Sequence, residues 1–148
     1  MLPHIVIRTG RFKYAMQNED AFMKKMMSAC KVAPNKLRPG LAYSISKSFV
    51  MWYCASQAAK FGSRARIVSI SPGSIDTEMG RLEEQSGSGA MLRYAALKRF
   101  GRPEEVAQLL AFCASDKASY ITGIDIRCDG GVVASMTFRD KLAVARSS

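Results

Sequence analysis

Histidine is almost missing from this chain: His4 is the only one in 148 residues. The four cysteines, Cys30, Cys54, Cys113 and Cys128, form no CxxC pair. A zinc site needs a set of closely spaced His and Cys ligands, so none is expected. A disulfide framework is the weaker reading for a chain this poor in cysteine. The four are read as reduced thiols, and Cys54 and Cys113 as small hydrophobes inside apolar helical patterns. Long apolar runs are also lacking. The longest, Phe49 to Ala55, has seven residues, against about 20 for a membrane span. No charged segment precedes the short apolar start at Ile5 to Ile7, so no secretory leader is expected and the cytoplasm is the expected location. Acidic residues are the scarcer charge: 12 Asp and Glu stand against 22 Lys and Arg, a net +10.

Six of those ten excess charges fall in residues 1–40, where eight basic residues face only Glu19 and Asp20. Such a segment could be a basic arm for nucleic acid or an anionic membrane. Its aromatics, Phe12, Tyr14 and Phe22, lack the spacing of a base-stacking platform. A solvated surface segment is the reading adopted, with no nucleic acid and no membrane among the partners.

With 48% hydrophobic residues the chain is long enough for one globular domain. The segment 18–31 has apolar residues at Phe22, Met23, Met26, Met27 and Cys30, three and four apart, behind an Asn18 cap. Pro34, Pro39 and Gly40 break that pattern. Residues 41–61 form the strongest helix signal, with one stripe through Ile45, Phe49, Trp52 and Ala59 and another through Val50, Tyr53, Cys54 and Ala58. A helix apolar on two sides should lie between two layers, or between a sheet and a partner subunit. Residues 66–70 read as a strand ended by Pro72 and Gly73. Short helices are expected over 77–82 and 90–97, around a Gly/Ser loop at 86–89. Pro103, Glu104 and Glu105 start a helix to Ala114. A last strand covers 124–128, and the tail is weakly patterned. Helix, strand, helices, strand implies an α/β fold with a parallel sheet. Two strands make a marginal sheet on their own.

Tyr43 and Lys47 lie one turn apart on one helix face. A free tyrosine titrates near about 10 and is a poor base at neutral pH, and a neighbouring ammonium favours its phenolate. The pair can therefore serve as a general acid/base for an alcohol or a carbonyl.

That pair sits in Ala42-Tyr-Ser-Ile-Ser-Lys-Ser48, ahead of a long apolar helix. A strand ends in Ser71-Pro-Gly-Ser-Ile-Asp-Thr77, and then come Leu97-Lys-Arg-Phe-Gly-Arg-Pro-Glu-Glu-Val-Ala107, Ser119-Tyr-Ile-Thr-Gly123 and Asp129-Gly-Gly131. This ordered set resembles the C-terminal half of the short-chain dehydrogenase/reductase family, over about residues 41–134. The resemblance implies a partial Rossmann-like doubly wound parallel sheet lacking its N-terminal strands. It implies an NAD(P)-dependent oxidoreductase acting on alcohols or ketones, with a hydroxysteroid-like substrate. Tyr43 matches the catalytic tyrosine. Lys47 matches the lysine that lowers the tyrosine's pKa and binds the nicotinamide ribose. Pro72, Gly73, Ser74, Ile75 and Thr77 match the loop against the nicotinamide, with backbone groups at Ile75 meeting the carboxamide. Residues 78–100 match the variable substrate loop, and Arg99 to Val106 are read as structural. The helix over 41–61 commonly packs on its copy in a second subunit, which implies a homo-oligomer.

The chain departs from the family pattern at its start. The Gly-rich turn that cradles the pyrophosphate is absent, as is the strand with the catalytic serine. Thirteen residues before Tyr43 stands Cys30, with Ser28 the nearest serine, and neither is assigned that role. Residues 1–40 resemble the insertion of hydroxysteroid-dehydrogenase-like members, and residues 135–148 a tail. The expectation is therefore a truncated chain that binds NAD or NADP poorly alone. The alternative is an inactive fragment serving only as an interaction or oligomerisation module, or the product of a decayed gene.

Overall fold

A computed structural model of the chain describes residues 12, 15, 17–85, 88–137, 139 and 140. The expected strand or loop at 1–7, part of the Gly/Ser loop at 86–89 and most of the tail lie outside the described residues. The described elements are α1 (Glu19–Lys31), a 3-10 turn (Asn35–Leu37), α2 (Arg38–Phe61), β1 (Ser69–Pro72), α3 (Glu78–Gln85), a 3-10 segment (Ser88–Tyr94), α4 (Pro103–Ala114), a 3-10 turn (Asp116–Ala118), β2 (Asp125–Cys128) and α5 (Val132–Ser135). The chain divides into two compact units. One runs to Tyr53 and takes up again at Thr137, and the other is Cys54–Met136.

In the first unit Asn18 caps α1 as expected, its side chain accepting from the Ala21 N–H at 2.9 Å. Pro39 and Gly40 do not delay α2, which starts at Arg38 rather than Leu41. A proline in the first turn lacks only an N–H that would have no helical partner. The Arg38 guanidinium reaches back to the carbonyls of Ala33 (3.1 Å) and Lys31 (3.2 Å), tying the new helix to the end of α1. Phe12, Met26 and Ile45 form the core, with Phe22, Phe49 and Trp52 around them. The Phe12 ring lies 5.6 Å from Phe49 and 5.7 Å from Trp52, distances at which tilted aromatic pairs attract. One stripe of α2 is thus used, and Cys54 of the other is buried as well. On the other, Val50 and Tyr53 stay exposed.

The second unit is built on a two-stranded parallel sheet, as the α/β reading requires, with Ser69 opposite Asp125 and Pro72 opposite Cys128. The strand starts at Ser69, not Arg66. Ahead of it the Ile67 N–H meets the Thr122 hydroxyl (3.1 Å), and its carbonyl accepts from Gly123, whose φ is +70°. The partner there is a turn and not a ladder. Pro72 ends β1 inside the strand, because the ladder uses the N–H groups of its neighbours and the proline nitrogen points away from β2. Three polar side chains interrupt the sheet surface: the Ser69 hydroxyl donates to Asp125 at 2.7 Å, and the Ser71 hydroxyl at 2.9 Å. Burial pushes the neighbouring Cys54 thiol above its ordinary value, so it stays protonated and acts as packing. The remaining core is made of small residues and methionines: Met91, Ala95, Cys113, Ala118, Val132 and Met136.

Two short helices differ from expectation. Thr77 is not helical but caps α3, its hydroxyl accepting from the Gly80 N–H at 3.0 Å. In place of the helix expected over 90–97, a 3-10 segment spans Ser88–Tyr94, after which the Leu97 N–H turns to the Gly130 carbonyl. α4 runs over Pro103–Ala114, as the proline and the two glutamates foretell.

Candidate active site

Tyr43 and Lys47 stand together on α2. The Lys47 ammonium lies 5.4 Å from the centre of the Tyr43 ring, within reach of a cation–π attraction. Tyr43 is 46% exposed. The Ser46 hydroxyl donates to the Tyr43 backbone carbonyl at 2.7 Å and leaves the phenol uninvolved. Ser28 lies exposed on α1 and Cys30 packs against the Phe12 core, which gives neither the strand position expected of a catalytic serine.

Pro72, Gly73, Ser74, Ile75 and Thr77 follow one another at the C-terminal end of β1, where open α/β sheets bind their ligands. The ladder ends with the Gly73 N–H donating to Cys128 at 3.0 Å. Beyond it the chain is held by an isolated bridge between Ile75 and Gly101. The Gly101 N–H donates to the Ser74 carbonyl (2.9 Å), and the Asp76 N–H donates to the Gly101 carbonyl (2.8 Å). In such a parallel bridge the N–H of Ile75 itself faces the other side of the loop, where no described residue accepts it. A free N–H at Ile75 fits the carboxamide of a nicotinamide. Thr77 keeps a hydroxyl proton to donate while its oxygen caps α3.

Glycines crowd this loop. A Cβ at Gly73 would come 2.7 Å from the Asp129 Cα, and one at Gly101 would come 2.8 Å from the Ile75 Cδ1. A Cβ at Gly80 would overlap the Ile75 carbonyl oxygen. Gly80→Ala should therefore push the first turn of α3 off the loop, at a cost of about 1–3 kcal/mol. Chemical denaturation checks this, and an unchanged midpoint would show that α3 yields freely. α3 is further joined to the loop by Arg81, whose Nε donates to Asp76 at 2.6 Å and holds that carboxyl below its usual range. Sequence reasoning missed Gly80 and read Gly101 only as part of a structural segment. An isolated glycine inside a helical pattern is the signal that could have marked the first.

The segment Arg99 to Val106 also touches this site. Arg99 binds Glu105 through two parallel hydrogen bonds (2.8 and 2.7 Å), and the Arg102 N–H donates to the same carboxylate at 2.7 Å. These donors hold the Glu105 carboxyl at about 2. A small cavity of about 90 Å³ lies between Ser74, Ile75, Leu97, Glu105 and Asp129. Among the described residues no group of His, Cys, Asp and Glu could hold a metal, and no helix is long and apolar enough to cross a membrane.

The family model described as Enoyl-(Acyl carrier protein) reductase matches residues 14–133. The match begins well inside the basic N-terminal segment. The 3-oxoacyl-[acyl-carrier-protein] reductase FabG of Thermotoga maritima is 42% identical over 93 residues, which are 62% of this chain and 37% of that protein. The reductase MabA of Mycobacterium tuberculosis is likewise 42% identical over 93 residues, 61% of this chain and 37% of the relative. A crystal structure of a short-chain type dehydrogenase/reductase from Mycobacterium marinum superposes with a TM-score of 0.56 at 35% identity, covering 62% of this chain and 36% of the other. The chain thus spans little more than a third of the length of these relatives. The family model spans residues 14–133, most of the chain, and the chain belongs to the short-chain dehydrogenase/reductase family.

Proposed function

We propose that this chain carries the acid/base pair and the nicotinamide-side loop of an NAD(P)-dependent oxidoreductase that interconverts ketones and secondary alcohols. The observation that supports it most is the Lys47 ammonium held beside the Tyr43 ring, with the phenol exposed. In the reducing direction Tyr43 gives its hydroxyl proton to the substrate carbonyl oxygen, and in the oxidising direction it takes one back. Lys47 stabilises the phenolate between the two. Pro72, Gly73, Ser74, Ile75 and Thr77 form the surface for the nicotinamide, with the Ile75 N–H and the Thr77 hydroxyl as its donors. The dinucleotide, when bound, supplies or accepts the hydride.

The names of the curated relatives favour a 3-oxoacyl chain over a hydroxysteroid as the substrate. Met79 and Leu82, exposed on α3, offer apolar surface to either. The exposed Val50 and Tyr53 stripe of α2 supports a homo-oligomer, and the four free thiols suit a reducing cytoplasm.

The 148 residues contain no Gly-rich phosphate cradle, so calorimetric titration of this chain alone with NADH or NADPH should show no micromolar site. Joined to the cradle-bearing half of a relative, it should oxidise NAD(P)H in the presence of an acetoacetyl thioester, and less readily with a ketosteroid. Micromolar binding by the chain alone would overturn the need for the cradle. Absence of turnover with both ketones would overturn the oxidoreductase reading.

A further inference from the structure

We propose that Glu105 is a positioning residue: through Arg99 and Gly101 it fixes the backbone of Ser74 to Asp76, the loop that the reading above gives to the nicotinamide. The proposal rests on that reading for the loop's role, but not for its geometry.

The argument begins where the β-ladder stops. Past Gly73, the two backbone bonds that carry the loop across to another segment both end on Gly101. What holds Gly101 therefore holds the loop. Gly101 lies in a turn between Leu97 and Arg102, and the Glu105 carboxylate gathers that turn. One oxygen accepts from the Arg99 guanidinium and from the Arg102 N–H, and the other accepts the second Arg99 bond. The same guanidinium donates to the Phe100 carbonyl at 2.9 Å, and the Arg99 N–H closes on the Leu97 carbonyl at 2.7 Å. Arg99 is thereby locked on both sides of the glycine's neighbour.

Helix capping alone would not need this. Glu105 stands at the third position of α4, where a glutamate commonly accepts the N-cap N–H. That role uses the Arg102 bond and ends there. The bidentate bonds to Arg99 reach a residue upstream of the helix and add nothing to the cap. A planar guanidinium on a carboxylate fixes orientation as well as distance, which a turn carrying a backbone bridge requires. The carboxyl, held at about 2, stays charged throughout the neutral range.

The test is residue-resolved amide hydrogen exchange on the full 148-residue chain, which needs no cofactor. Arg99→Ala leaves the Glu105 cap in place and removes the clamp. Exchange at the Asp76 and Gly101 amides should accelerate about tenfold, a local opening made about 1.4 kcal/mol easier. The ladder amides of Ser69 and Gly73 should change by less than about twofold. Glu105→Gln should match it, and Arg99→Lys should restore part of the protection, because an ammonium supplies charge without the fork. Unchanged exchange at Asp76 and Gly101 in Arg99→Ala would reduce Glu105 to a helix cap and overturn the proposal. Equal acceleration at Ser69 and Gly73 would make the clamp a matter of general stability, and would overturn it too. Failure of the joined enzyme to turn over ketones would remove the loop's assigned ligand and leave this exchange pattern as it was.

Discussion

Tyr43→Phe should lower the rate of the chemical step by about two to four orders of magnitude in the enzyme completed by a dinucleotide cradle. The substitution removes one oxygen and keeps the ring. Tyr43 is half exposed, and the Ser46 hydroxyl bonds its backbone carbonyl rather than the phenol. Stability should therefore stay within about 0.5 kcal/mol of the parent, as for most surface changes. The loss should fall on kcat and kcat/KM together, since the hydroxyl acts on the reacting oxygen and not on ground-state binding. Lys47→Ala should cost more than charge: the ammonium 5.4 Å from the ring centre would be gone, and with it the contact expected with the ribose. Lys47→Arg should recover part of the rate. Near-parental turnover in Tyr43→Phe, read by pre-steady-state kinetics, would remove the tyrosine from the mechanism. Ser28→Ala should be silent, because Ser28 is exposed on α1. A large loss there would show that the proton passes through the N-terminal segment.

The three long helices are the legible part of this molecule. Asn18 before two acids, and Pro103 before Glu104 and Glu105, mark helix starts by local chemistry, and both are observed. α2 was legible from its apolar stripes, except that Pro39 and Gly40 read as a break when the first turn tolerates them. Composition places β1 on Arg66 to Ile70, but the ladder is set by its partner, and Asp125 pairs with Ser69. No local pattern carries that register. The loop residues of the site were legible only as an ordered motif. Their support was not, because Arg99, Gly101 and Glu105 lie about 25 residues further along the chain, and only the fold brings them to Ile75. Thr77 illustrates the same limit: it continues a helical pattern in sequence, yet its hydroxyl serves better as the cap that stops the helix from starting earlier.

Gly73→Ala is expected to destabilise the Cys54–Met136 unit by about 1–3 kcal/mol, the usual cost of forcing a methyl into a packed site. The new Cβ would lie 2.7 Å from the Asp129 Cα and 3.0 Å from its Cβ. Relief would require Asp129 to move, and Asp129 is fixed. Its carboxylate accepts from the Gly131 N–H at 2.9 Å and the Val133 N–H at 3.0 Å, capping the turn into α5. Gly130 and Gly131 in that turn have φ of +60° and +80°, a conformation that glycine adopts without strain. The strain therefore returns to β1 at the point where the candidate cofactor loop leaves it, and the last ladder bond, from Gly73 to Cys128, should lengthen. Gly62→Ala is the comparison: its Cβ would meet only the Ala58 carbonyl at 3.3 Å and the Ala59 carbonyl at 3.8 Å, just past the end of α2. It should cost well under about 1 kcal/mol. Thermal melting separates the two, at about 2–4 °C for each kcal/mol in a chain near this size. A Gly73→Ala protein that melts with the parent would mean that Asp129 and its turn can give way, and that the close approach of the two strand ends does not hold the loop in place.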